Sequence, residues 1–96
     1  MSIGERVGVF SGEGFIFLAR LVVESLPPVQ RIILKEIDGE NANQLVNKIM
    51  KKYGVSRSTV WYNLWQLKKR KIIYFEKGMP VFLNLPILKE VCKEMD

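Results

Sequence analysis

Residues 41–71, NANQLVNKIMKKYGVSRSTVWYNLWQLKKRK, hold two helical patterns separated by one glycine and one apolar residue. That short break constrains the fold more than any other feature of the chain. In the first pattern Leu45, Val46, Ile49, Met50 and Tyr53 recur at amphipathic helix spacing. Asn41 and Gln44 fit a capping box at its start, and Gly54 suits its end. Ser56 is a good N-cap for the second pattern. At ~100° per residue, Val60, Leu64 and Leu67 form an inward stripe, with Trp61 and Lys68 on one flank and Asn63 on the other. Ser58, Tyr62, Trp65, Gln66 and Lys69 fall on the far side, which places Tyr62 and Trp65 outside the core.

Two short helices joined this tightly make a helix-turn-helix pattern. Upstream, PVQRIILKEI begins at Pro28 and puts Val29, Ile32, Ile33 and Ile37 on one helical face, with Gly39 suited to the C′ position. Downstream, residues 72–75 and 81–85 are β-prone runs around EKGMP, a hairpin with Lys77-Gly78 at its tip. A last helix, roughly 86–95, sets Ile87, Leu88, Val91, Cys92 and Met95 against Lys89, Glu90, Lys93 and Glu94. The expected fold class is mainly α with a β-hairpin wing (α+β). An apolar segment over 1–27 precedes the winged helix-turn-helix of 28–85, whose second helix covers 56–71 and whose wing covers 72–85. Residues 86–96 form the C-terminal helix.

The N-terminal segment admits two readings. GFIFLARLVVESL reads as a helix from about Phe15, with Arg20 and Glu24 spaced to pair. RVGVF-SGEG-FIFLA also reads as a hairpin, because β-branched and aromatic residues dominate it. The helix is favoured. Apolar nearly all round, it offers more than one buried face requires, so a homodimer is expected through Phe15, Phe17, Leu18, Leu21 and Val22.

Charge is as unevenly spread as hydrophobicity. The net charge of +5 divides into −2 over residues 1–47, +8 over 48–77 and −1 over 78–96. Acidic flanks around so basic a centre point to a polyanion-binding surface. Geometry then suggests roles. Arg57, Ser58 and Thr59 lead the helix into a major groove, with Arg57 able to fork onto guanine and Gln66 to address adenine. Tyr62 can meet a thymine methyl, and Lys68, Lys69, Arg70 and Lys71 can hold the phosphate backbone. Lys48, Lys51 and Lys52 would add phosphate contacts, and Lys77 would reach flanking DNA. Trp65 suits either DNA or a protein partner, and RNA is a lesser option because exposed rings stack unpaired bases.

GVSRSTVWYNLWQLKKRKII resembles the core of the winged helix-turn-helix superfamily of transcriptional regulators. Gly54, Val55, Ser56, Thr59, Val60, Leu64, Leu67 and Ile72 match its outline, and the likeness reaches from about Pro28 to Leu85. The resemblance implies a dimeric regulator of double-stranded DNA, with Arg57, Ser58, Trp61, Tyr62 and Gln66 where relatives contact DNA. Trp61 departs from the small polar residue common there. The alternative is a winged-helix protein-interaction module in a transcription or replication assembly. The lysine- and isoleucine-rich, histidine-free composition suggests a thermophilic archaeal host or one of its viruses or plasmids.

Catalysis has little to work with. There is no histidine, Cys92 is the only cysteine and sits on an apolar stripe, and Gly8, Gly12 and Gly14 lack the Lys-Ser/Thr of a phosphate loop. No enzyme activity, cofactor or metal is expected, and an effector ligand is left open. Residues 15–26, broken by Arg20 and Glu24, are too short and too charged to span a bilayer, so no membrane partner is expected. The N-terminal residues lack the basic-then-apolar pattern of a secretion signal, and a cytoplasmic location is expected.

Overall fold

A computed structural model describes residues 13–95. Five helices and one small antiparallel sheet follow in the order α1 (Glu13–Glu24), α2 (Pro28–Glu36), α3 (Ala42–Tyr53), α4 (Arg57–Lys69), β1 (Ile73–Tyr74), β2 (Phe82–Leu83) and α5 (Ile87–Glu94). The N-terminal ambiguity resolves as helix over 13–24. The second arm of the alternative hairpin is helical, and its first arm, residues 6–10, lies outside the described residues, as do Gly8 and Gly12. Arg20 does not use Glu24: its guanidinium lies 3.9 Å from Glu94 on α5. That exposed pair contributes little.

The helix boundaries follow from local chemistry. Pro27-Pro28 ends the α1 connection and starts α2, since a proline at the first helical position gives up a donor that would be unpaired anyway. The Asn41 side chain accepts from Gln44 N at 2.9 Å, and the Gln44 side chain accepts from Asn41 N at 3.0 Å, a complete capping box on α3. Gly54 closes α3 at φ 70°, and Ser56 caps α4 by accepting from Thr59 N at 3.3 Å. Gly39 is not the C′ residue of α2. The helix ends one residue earlier, with extended Ile37 as its cap, and Gly39 at φ 85° serves the following turn.

α4 ends with a left-handed residue. Lys71 N donates to Lys68 O at 2.9 Å and Ile72 N to Leu67 O at 3.0 Å, the two bonds of a Schellman motif. Lys71 occupies the left-handed position at φ 64°, where glycine is usual. Asn84 braces the turn, donating from its side chain to Lys71 O (2.8 Å) and from its backbone to Ile72 O (3.0 Å).

One apolar cluster unites the described chain. α1 packs on α5, α5 on α2, α2 on α3 and α4, and α4 on α3 and β1. Ala19 and Val23 from α1, and Leu26 just beyond it, share this core with Leu88, Val91 and Cys92 from α5. α2 lies at the centre and buries more than its expected stripe: Gln30 and Leu34 go inside with Ile33, while Val29 and Ile32 are only partly covered. The buried Gln30 donates to Asn63 Oδ1 of α4 at 3.1 Å, and Asn63 donates on to Thr59 O at 2.8 Å.

The sheet is shorter than expected. Ile73 pairs with Leu83 and Tyr74 with Phe82, while the turn from Glu76 to Met79 is closed by Met79 N donating to Glu76 O at 3.1 Å, with Gly78 at φ 78°. The hairpin is tied back to the α2–α3 connection, where Val81 N donates to Glu40 O at 2.9 Å beside an Asn41–Pro80 bridge.

A side chain at Lys71 carries a Cβ penalty of roughly 1–2 kcal/mol in the left-handed region, partly offset by the greater unfolded-state entropy of glycine. Lys71→Gly is therefore expected to raise the chemical-denaturation midpoint and Lys71→Val to lower it, with no change in m-value; a lower midpoint for the glycine variant would remove this account of the turn.

Candidate nucleic-acid interface

α4 is positioned by its inward stripe. Val60, Leu64 and Leu67 are fully buried, as their spacing predicts, and Asn63 is buried beside them. With that face fixed between α2 and α3, Arg57, Ser58, Thr59, Tyr62, Trp65 and Lys69 are all exposed on the other side, and Gln66 is half-covered. At 64% exposed, Tyr62 is more open than Trp65, the other exposed aromatic of α4.

The hairpin changes the reading of the helix's flank. Trp61 is half-buried against Phe75, with ring centroids 6.4 Å apart, as expected for a side chain under the hairpin. Trp65 lies outside the core, as the wheel predicted, but it has a ring partner there. It is 52% exposed and sets its ring edge-on to Phe75 at 5.1 Å. Phe75 itself is buried, carried inward by the alternation Ile73 in, Tyr74 out, Phe75 in. A wheel gives directions about one helix axis and contains nothing of a later strand folding over that flank.

Lys68 departs furthest from its expected role. It is half-buried, and its ammonium lies 4.6 Å from the Phe75 ring centroid, 4.9 Å from Trp65 and 5.4 Å from Tyr74. It joins α4 to the hairpin by cation–π contact instead of projecting with Lys69, Arg70 and Lys71, which are exposed.

The expected phosphate contacts on α3 also divide. Lys48 Nζ donates to the Glu36 backbone oxygen and lies 2.6 Å from Glu40 Oε2, and Lys52 Nζ lies 2.8 Å from Glu36 Oε2. Tyr53 OH donates to the same Glu36 oxygen at 2.7 Å. These two lysines are neutralised by acids of the α2–α3 edge; Lys51 is exposed and has no ion pair among the described residues. Periodicity alone showed no reason for Glu36 and Glu40 to reach them, because the pairing joins α3 to the end of α2 and to the α2–α3 connection. Arg57 is held at the leading end of α4 by donating to Asn47 Oδ1 of α3 at 3.0 Å.

Arg57, Lys69, Arg70, Lys71 and Lys77 have no ion pair among the described residues. Lys77 projects at the hairpin tip. The one acid of the 48–77 stretch, Glu76, accepts a hydrogen bond from Tyr74 OH, and that bond raises the tyrosine's pKa. Two open clefts flank Trp65 and Lys68. One, of about 670 Å³, has Trp61, Trp65 and Phe75 as its floor and Asn43 and Lys77 on its rim. The other, of about 750 Å³, lies towards Tyr74, Lys71 and Asn84.

The dimerisation residues expected on α1, Phe15, Phe17, Leu18, Leu21 and Val22, are all exposed, and Ile16 joins them. Among the described residues no helix is long and apolar enough to cross a membrane, and no group of three or more His, Cys, Asp or Glu could hold a metal ion. Cys92 is buried in the core. No protein-family model, curated protein or solved structure matches the chain.

The Glu36 cluster makes stability depend on acid. Burial pushes the Glu36 carboxyl up, but the bonds from Lys52 and Tyr53 and the nearby lysine charges outweigh it and hold it below its ordinary 4.5. Burial likewise raises Glu40, and Lys48 and backbone donors bring it below the same value. Both native carboxyls bind protons less tightly than the unfolded chain does, so their stabilisation is complete above about pH 4.5 and is lost as pH falls through the lower native values. Glu36→Gln should lower the melting temperature at neutral pH and flatten its decline below pH 4.5; an unchanged acid slope would count against the cluster.

Proposed function

We propose that this chain is a sequence-specific, double-stranded-DNA-binding transcriptional regulator of winged helix-turn-helix type, working as a homodimer. α4 enters the major groove, and the hairpin tip, residues 76–80, lies on flanking DNA. The observation that carries the reading is the sorting of charge. The lysines of α3 nearest the acids are paired, while the cations at both ends of α4 and at the hairpin tip face solvent without ion pairs among the described residues.

The roles divide along α4. Arg57, Ser58 and Thr59 lead into the groove, where Arg57 can present its fork to a guanine edge while Asn47 steadies it. Tyr62 and Gln66 address base edges or the thymine methyl along the outer face. Lys69, Arg70, Lys71 and Lys77 engage phosphates, and Trp61 and Lys68 hold the hairpin at the correct distance. α1 supplies the dimer contact: a second copy covering Phe15, Phe17, Leu18, Leu21 and Val22 removes from water a row of large apolar side chains that no described element covers. The exposure of Tyr62 and Trp65 favours the second reading, a protein-docking module, in which the same rings act as interface anchors.

Anisotropy titrations with mixed-sequence duplex at two salt concentrations test the proposal. Binding should weaken steeply with salt, and replacing Lys69 and Arg70 together by alanine should reduce the log–log salt slope by about 1.8. No binding at low salt sinks the regulator reading in favour of the docking module. Leu18→Glu with Leu21→Glu should give a folded monomer in sedimentation equilibrium where the native chain is a dimer; a native monomer would end the dimer proposal.

A further inference from the structure

We infer that the outer face of the hairpin, together with Trp65, is a stacking platform for an unpaired DNA strand, so that the chain binds best where duplex gives way to single strand. This rests on the reading of α4 as a duplex-binding helix and adds a second nucleic-acid surface beside it.

The platform is built by register. Tyr74 and Phe82 are directly opposite each other in the antiparallel pair, so both side chains stand on the same face of the ribbon, and both are exposed. That face is turned away from the core, because Ile73 and Phe75, the neighbours of Tyr74, are buried on the other side. Trp65 extends the row from α4. Its ring and that of Tyr74 both lie within 5.4 Å of the Lys68 ammonium, which fixes helix and ribbon rings to a common centre. The cleft of about 750 Å³ beside them is walled by Trp65 and Tyr74 and rimmed by Lys69 and Lys71, with Gln66 and Asn84 as polar side chains between.

The chemistry of this arrangement fits separated bases better than paired ones. A duplex presents base edges to a protein, its ring faces already being stacked on one another. Exposed aromatic side chains interleaved with cations instead offer each unpaired base a ring and each phosphate a charge. Charge complementarity selects a polyanion over a protein surface here: Lys69 and Lys71 border the platform, and Glu76, the one acid of residues 48–77, is engaged by Tyr74 OH. Duplex on α4 and single strand on the ribbon can then be held together, because Lys68 couples the two.

The test compares a labelled blunt duplex, the same duplex with an unpaired 5′ tail or 3′ tail, and the tail strand alone, by anisotropy with tryptophan emission followed in parallel. At least one tailed duplex should bind about tenfold tighter than the blunt one, with quenching of tryptophan emission. Tyr74→Ser with Phe82→Ser removes two exposed rings and should abolish that preference without changing affinity for the blunt duplex. Equal affinity for tailed and blunt DNA overturns the inference and leaves the duplex reading standing, as does a tail preference that survives in the double variant. Binding to the tail strand but not to the blunt duplex keeps the platform and overturns the duplex reading. No binding to any of the four overturns both.

Discussion

Burial of Val60, Leu64 and Leu67 against α2 and α3 sets the direction of everything exposed on α4. Each such side chain contributes roughly 1.5–3 kcal/mol on leaving water, so the stripe outweighs any preference of the polar residues around it. Once it is inside, Ser58, Tyr62 and Lys69 have nowhere to go but outward. The buried Gln30–Asn63 bond sits beside this stripe and favours one register between α2 and α4, because sliding either helix would leave the Gln30 side-chain N–H and Asn63 Oδ1 unpaired. Asn63 is also tied to Thr59 O, while Gln30 Oε1 has no partner among the described residues. The pair therefore specifies more than it stabilises.

The second organising contact is the joint between α4 and the hairpin. Phe75 is driven inside by strand alternation and meets both tryptophans, and the Lys68 ammonium closes over the group. A two-residue-per-strand ribbon is marginal by itself. Here it is held from three sides: by the rings on α4, by the Asn84 bonds to the turn after α4, and by the Val81–Glu40 bond to the α2–α3 connection. The ribbon's tip and outer face thereby gain a defined position relative to α4, which both the groove-binding proposal and the stacking platform require.

Charge is sorted by the same architecture. Bringing α2 and α3 together places Glu36 and Glu40 against Lys48 and Lys52, which takes those two lysines out of the pool available to a polyanion. The cations further along the chain meet no such acids among the described residues. Local neutralisation on one edge and unneutralised charge on another give a directional field that net charge alone does not describe.

Much of this was legible in the chain itself. The capping box at Asn41, the left-handed Gly54, the Ser56 cap, the buried stripes of α3, α4 and α5, and the hairpin tip at Lys77-Gly78 all depend on contacts within a few residues, and local sequence carries those. The exposed rows on α1 and α4 follow from the same periodicity. Only the tertiary structure decided the partners that lie on other elements: Arg20 with Glu94, Gln30 with Asn63, Lys48 with Glu40, and Lys68 with the rings of the hairpin. The physical reason is common to all four. A helical or strand period states which way a side chain leaves its own backbone, but whether it then meets water, a carboxylate or an aromatic face depends on which other element packing brings there.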